Sequence, residues 1–105
     1  MAHLSFIAHA YIWGGDKPQK ILPEVIAKPW VKLSKFLGRP PILSYASYCL
    51  DNWFKIDNDK PISLNNVALI NNFLGGVDED WCVTIHVCIE DAARDAVDAA
   101  YKYQN

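Results

Sequence analysis

The stretch that most constrains the fold is residues 78–103, which read as one long amphipathic helix. It follows the helix-breaking pair Gly75-Gly76 and opens with three acidic residues, which the positive end of a helix dipole favours. Its apolar residues then recur at intervals of three and four, the period of an α-helix. The main row is Cys82, His86, Ile89, Ala93, Ala96 and Ala100, and beside it run Trp81, Ile85, Cys88 and Ala92. We therefore expect a helix buried on one broad side, with His86 inside that side.

Glycine and proline divide the rest of the chain into further segments. Apolar residues fill 2–13 up to Gly14-Gly15, which predicts a buried helix. Three prolines in 16–29 predict an irregular loop, and a short helix is expected over 30–37 before Gly38. Helical spacing then predicts helices over 42–56 and 63–73, separated by a turn at 57–61, and a break at 75–77.

No alternation typical of strands extends beyond a few residues, so the fold class we expect is all-α. It would be a helical bundle fragment with a proline-rich irregular connection, and residues 1–105 would form a single helical segment. The outermost predicted helices are apolar over more surface than a 105-residue domain can easily cover. This predicts that the chain is part of a larger helical protein.

Composition excludes several classes of function. A net charge of -2 without a basic run excludes a nucleic-acid-binding surface. The apolar runs are too short for a membrane span. Three cysteines, two of them in a predicted helix, favour free thiols in a reducing compartment, and the expected location is cytoplasmic.

His86 is the residue whose chemistry most needs an explanation. It could be a hydrogen-bonded core histidine, a general base, a metal ligand or a partner for a bound ligand. Cys82 lies four residues before it, a spacing suited to two zinc ligands or to a Cys-His nucleophile pair. Neither a further zinc ligand nor an orienting acid is apparent, and Cys82 is expected to be buried and inert.

Tyr45 and Tyr48 leave two interpretations open, since aromatic residues at helical spacing can form a core or the wall of a flat ligand. The pair Gly75-Gly76 could approach a phosphate at a helix N-terminus. The acidic residues that follow would repel that phosphate, so a nucleotide-binding loop is disfavoured.

Several stretches resemble the indoleamine 2,3-dioxygenase family, and they keep the family's order and spacing over nearly the whole chain. The most specific is PPILSYA, which continues to the pair Asn52-Trp53. The matching pieces are AHAYIWG (8–14), ILP (21–23), IAKPWVKLS (26–34), GRPPILSYASYCLDNW (38–53), KP (60–61) and the run from Phe73 through Trp81 and His86 to Glu90.

The resemblance implies an all-α haem b enzyme that inserts both atoms of O2 across the indole 2,3 double bond of tryptophan, giving N-formylkynurenine. It places Tyr45 and Tyr48 on the wall of the indole pocket. It places His86 on the distal helix, where vertebrate members carry serine, as a hydrogen-bond partner for the indole N–H or for O2. Cys82 falls where those members have a pocket phenylalanine, which affects indole stacking.

The same resemblance places the proximal haem-ligating histidine and a substrate-binding arginine downstream of Asn105, so no metal ligand is expected in this chain. Alone, the chain should bind haem poorly, and a missing C-terminal half or a second polypeptide would complete it. Two alternatives remain open: a non-catalytic helical packing or partner-binding module, and a haem enzyme acting on another indole.

Overall fold

The computed structural model describes residues 1–104, and its architecture is mostly helical, so the all-α class is confirmed. Helices α1 (Ala2–Trp13) and α2 (Glu24–Leu37) are followed by a π-helical turn (Ala46–Leu50), here called the π-turn. A two-stranded hairpin of β1 (Trp53–Lys55) and β2 (Val67–Leu69) comes next, and α3 (Val77–Gln104) completes the described chain. Among the described residues, none of the helices is long and apolar enough to cross a membrane.

The glycine signals are confirmed as helix ends. α1 ends at Trp13, directly before Gly14, and α2 ends at Leu37. Gly38 then adopts a left-handed conformation with φ of 63°, which a residue bearing a Cβ adopts only at a cost. α3 begins at Val77, directly after the Gly75-Gly76 pair and at the last residue of the break predicted over 75–77.

The predicted loop over 16–29 is wrong in its second half, because α2 already begins at Glu24 and contains Pro29. A proline inside a helix removes one backbone hydrogen bond, here the one that would reach the Val25 carbonyl. Trp30, immediately after the proline, is 5% exposed, and its indole N–H donates to the Ser5 hydroxyl of α1 at 3.0 Å. Packing of Trp30 against α1 thus fixes a helix that local propensity alone would interrupt.

The predicted helices over 42–56 and 63–73 are also wrong. Between them they contribute the short π-turn and the two strands of the hairpin, whose register pairs Trp53 with Leu69 and Lys55 with Val67. Aromatic and β-branched residues favour such pairing. Apolar runs this short fit either period, so tertiary contacts decide between helix and strand.

The hydrophobic core lies where the π-turn, the hairpin and α3 meet. Its buried members are Cys49, Val67, Val83 and Val87, with Tyr48, Trp53, Ile62 and Leu69 packed against them. The buried row of α3 is therefore Val83, Thr84 and Val87, and the predicted row through Cys82, His86 and Ile89 is wrong. His86 is half-buried, and Cys82, which we expected to be buried, is exposed.

Asn52 joins the π-turn to the end of the hairpin. It is 0% exposed, and its amide group donates to the carbonyls of Tyr48 at 3.0 Å and Asn71 at 2.8 Å. Its side-chain oxygen accepts from the Asn71 backbone N–H at 2.8 Å and from the Asn71 amide at 3.2 Å. One buried side chain therefore closes the π-turn and anchors the exit from β2.

Glu79 performs a similar task at the start of α3. Its carboxylate accepts hydrogen bonds from three successive backbone N–H groups, those of Phe73 at 2.7 Å, Leu74 at 2.9 Å and Gly75 at 3.2 Å. Partial burial opposes its charge, but these donors and the Tyr48 hydroxyl outweigh it, so the pKa of Glu79 is lowered. The backbone N–H groups before α3 that could have bound a phosphate are therefore occupied by the Glu79 carboxylate.

The described fold leaves much apolar surface in water. The chain exposes 7736 Å², whereas a folded monomer of 11.9 kDa is expected to expose about 5,900 Å². Its radius of gyration is 16.3 Å, against about 13 Å for a compact domain of this length. Large apolar side chains such as Phe36 (84% exposed), Leu74 (94%) and Trp13 (65%) account for part of this surface.

Replacing Asn52 by alanine should destabilise the fold by about 3 kcal/mol, because the buried groups of Tyr48 and Asn71 would lose their partners. Urea unfolding followed by circular dichroism would measure this cost. Asn58→Ala, in the exposed turn before β2, is the matched control and should cost under about 0.5 kcal/mol. Equal effects of the two substitutions would contradict the role given to Asn52.

Replacing Glu79 by glutamine should cost about 1–2 kcal/mol at pH 7, because charge-assisted hydrogen bonds are stronger than neutral ones. A lowered folded-state pKa means that the stabilisation is present above the usual value of 4.5 and is lost as the pH falls through the folded pKa. The difference in unfolding free energy between the two proteins should therefore shrink below pH 4.5.

Asp78→Asn removes a carboxylate from the same helical turn and is the control for the dipole effect. Chemical denaturation at a series of pH values compares the three proteins. A Glu79→Gln deficit that stays constant from pH 7 to pH 3 would show that the carboxylate charge is not its cause.

Candidate functional site

The structure brings Tyr45 and His86 into direct contact. Tyr45 lies at the start of the π-turn and His86 lies in the third turn of α3. Their ring centroids are 5.7 Å apart, and the planes meet at 72°, so the rings pack edge to face. Cys82 lies one turn before His86 and exposes its thiol. These three residues form an open face, here called the Tyr45–His86 face.

Tyr48 occupies a different environment from Tyr45. Its ring stacks on Phe6 of α1 at 5.6 Å and on Phe73 at 6.4 Å, and its hydroxyl donates to Glu79 at 3.3 Å. Tyr48 therefore joins α1, the π-turn and the start of α3. The sequence left open whether Tyr48 is a core residue or part of the wall of a flat ligand, and these contacts are those of a core residue.

The hydrogen bond of His86 defines which ring nitrogen is available. Nδ1 lies within hydrogen-bonding distance of the backbone carbonyl of Cys82. A carbonyl oxygen can only accept, so Nδ1 carries the proton of this bond. In the neutral imidazole Nε2 is then an acceptor. The ring thus presents a lone pair, rather than a proton, away from its own helix.

Glu90 is a further member of this site that the sequence did not single out. Tyr45 donates its hydroxyl hydrogen to the Glu90 carboxylate at 2.9 Å. Glu90 lies one turn after His86, and this spacing of four was the signal that could have placed both on one side of α3. Desolvation, together with the hydrogen bond and charge of Glu90, raises the pKa of Tyr45 to about 12.

The surrounding groups are also held in their protonated forms. Desolvation and the charge and hydrogen bond of Glu79 raise the pKa of Tyr48 to about 12. Burial, followed by the neighbouring thiol of Cys82, raises the pKa of Cys49 above its usual 9.0. A buried thiol of raised pKa is a poor nucleophile, so acyl-transfer chemistry at Cys49 is disfavoured.

The described residues include groups that can contact an organic ligand, but no cluster of side chains that could hold a metal ion. Residues 1–104 contain no group of three or more His, Cys, Asp or Glu side chains able to hold an ion. The Nδ1 atom of His3 contacts the Asn71 side chain at 3.0 Å, and that of His9 contacts the Ser5 carbonyl at 3.0 Å. The Tyr45–His86 face presents a partly exposed aromatic ring and one acceptor nitrogen, groups that can contact a planar ligand carrying an N–H donor.

The family model for indoleamine 2,3-dioxygenase matches residues 1–105. An indoleamine 2,3-dioxygenase of Saccharomyces cerevisiae is 40% identical over 92 residues, covering 83% of this chain and 20% of the relative. Indoleamine 2,3-dioxygenase 1 of Mus musculus is 40% identical over 103 residues, covering 94% and 25%.

Indoleamine 2,3-dioxygenase 2 of Homo sapiens is 33% identical over 109 aligned positions, which cover 100% of this chain and 27% of the relative. The chain thus spans about a fifth to a quarter of the length of these relatives. The match of the family model along its full length identifies the chain as a member of the indoleamine 2,3-dioxygenase family.

Proposed function

We propose that this chain forms the distal side of the haem and substrate pocket of a dioxygenase acting on L-tryptophan. The complete protein would insert both atoms of O2 across the indole 2,3 double bond and release N-formylkynurenine, the first step of tryptophan breakdown by the kynurenine pathway. Its substrates are a small indole and O2. The observation that carries this proposal is the Tyr45–His86 face, where an aromatic edge and an acceptor nitrogen lie side by side.

The tautomer of His86 selects between its two expected roles. An acceptor at Nε2 can receive a hydrogen bond from the indole N–H, whereas stabilising bound O2 requires a donor. We therefore assign His86 to the indole N–H. Tyr45 provides the adjoining aromatic surface, and the exposed Cys82 leaves more room beside the ring than a phenylalanine would.

Haem b, when bound in the complete protein, supplies the binding and activation of O2. The part proposed for this chain is to orient the indole and to shape the distal wall. Tyr48 contributes indirectly, because its stacking on Phe6 and its bond to Glu79 hold the π-turn that carries Tyr45.

The exposed apolar surface supports the proposal that further polypeptide covers this chain. Its accessible area exceeds that of a compact protein of equal mass, and the matched relatives are about four times as long. The covering polypeptide would carry the proximal ligand and the substrate-binding arginine. We also propose a cytoplasmic location, which the three free cysteines support.

The chain alone should not form a tight complex with haem, because it contributes one wall of the pocket. Titration of haem into the purified chain, followed by Soret absorbance, should show weak binding without a stoichiometric end point. A tight one-to-one complex would contradict the proposal.

The catalytic proposal is tested in a chimaera in which this chain replaces the matching 103 residues of the Mus musculus relative. Substituting His86 by alanine there should lower tryptophan turnover about tenfold or more, equivalent to about 1.4 kcal/mol, because the indole N–H loses its acceptor. The melting temperature and the Soret spectrum should stay unchanged.

His3→Ala is the matched control, since it removes a histidine of α1 that contacts the Asn71 side chain. It should leave turnover close to that of the parent chimaera. Turnover unaffected by His86→Ala would exclude the assigned role. Parallel losses of turnover and thermal stability would identify His86 as a structural histidine.

A further inference from the structure

We propose that Glu90 is a positioning residue of this site, which acts through the Tyr45 hydroxyl to hold the His86 imidazole with Nε2 directed at the open face. The inference deepens the proposed function and rests on it for the role of His86. The arrangement itself is a chain of three contacts: Glu90 to Tyr45, Tyr45 to His86, and His86 to the Cys82 carbonyl.

The first contact fixes Tyr45 in space. Tyr45 is 45% exposed, so packing restrains its ring only in part. The hydrogen bond of 2.9 Å to Glu90 joins the start of the π-turn to α3 and limits rotation of the phenol. The carboxylate is available for this bond because Arg94, one turn further along α3, pairs with Asp91 instead.

The second contact transfers that restraint to the histidine. The terminal torsion of a histidine side chain is broad, so a half-buried imidazole needs a neighbour to define its plane. The edge-to-face packing with Tyr45 provides that neighbour on one side. The bond from Nδ1 to the Cys82 carbonyl provides the other restraint. Together they leave Nε2 as the ring atom open to a ligand.

The position of Glu90 favours a role in orientation over one in stability. Its side chain is exposed, and Tyr45 is nearly half exposed. Polar pairs at such positions contribute little to folding. The hydrogen bond between Glu90 and Tyr45 instead limits rotation of the Tyr45 ring, and this ring contacts His86.

The test uses nuclear magnetic resonance of the ligand-free chain with ¹⁵N-labelled histidine. In the parent chain the His86 ring protons should show cross-peaks to the Tyr45 ring. Its two nitrogens should resonate far apart, as in one fixed tautomer. Glu90→Ala should abolish the ring cross-peaks and bring the two nitrogen resonances closer together. Tyr45→Phe, which keeps the ring but removes the hydroxyl, should weaken the same signals.

Two further variants separate positioning from a general structural effect. Glu90→Gln keeps an acceptor oxygen and should restore the ring cross-peaks. Asp98→Ala removes a carboxylate roughly 12 Å further along α3 and should leave the His86 signals unchanged. Backbone amide spectra establish that each variant is folded. If the Glu90→Ala variant does not fold, the His86 signals of Tyr45→Phe are compared with those of Glu90→Gln instead.

The proposal is overturned if a folded Glu90→Ala variant retains the parent His86 signals, or if Glu90→Gln fails to restore them. No haem or indole is present in this experiment. A failure of positioning is therefore distinguishable from a failure of the proposed function, which the chimaera tests by turnover.

Discussion

The buried amide of Asn52 is the interaction on which the rest of the structure depends. It satisfies the Tyr48 carbonyl of the π-turn and both backbone groups of Asn71 at the exit of β2. These are groups that a continued helix would have paired along its own axis. By pairing them laterally, Asn52 ends the π-turn, starts the hairpin and directs Tyr45 towards α3. The Tyr45–His86 face follows from that redirection.

The helix ends were predictable because they depend on local chemistry, whereas the middle of the chain was not. Gly14, Gly38 and Gly76 terminate or precede helices for reasons that any backbone obeys. The π-turn and the hairpin depend on the hydrogen bonds between Asn52 and Asn71, which are 19 positions apart. The periodicity of apolar residues does not indicate this contact. Likewise, Pro29 enters α2 because Trp30 is held by Ser5 across 25 positions.

The sequence singled out Tyr45 and His86 as candidates, but it indicated neither the contact between their rings nor the part played by Glu90. The family resemblance singled out His86 and Tyr45, yet the contact between them arises because the π-turn lies across α3. Tyr48 shares the helical spacing of Tyr45, but its ring stacks on Phe6 and so lies in the core. Glu90 was not singled out, because charge alone cannot reveal that a tyrosine from another element approaches it.

Two carboxylates of α3, Glu79 and Glu90, lie about three turns apart, and each accepts from a tyrosine of the π-turn region. These two hydrogen bonds link the π-turn region to α3 at two points along the helix. Burial, and then these carboxylates, raise the pKa of both phenols to about 12, and burial followed by the neighbouring Cys82 raises the pKa of the Cys49 thiol. At neutral pH both phenols are therefore protonated, and each can donate its hydroxyl hydrogen to a carboxylate of α3.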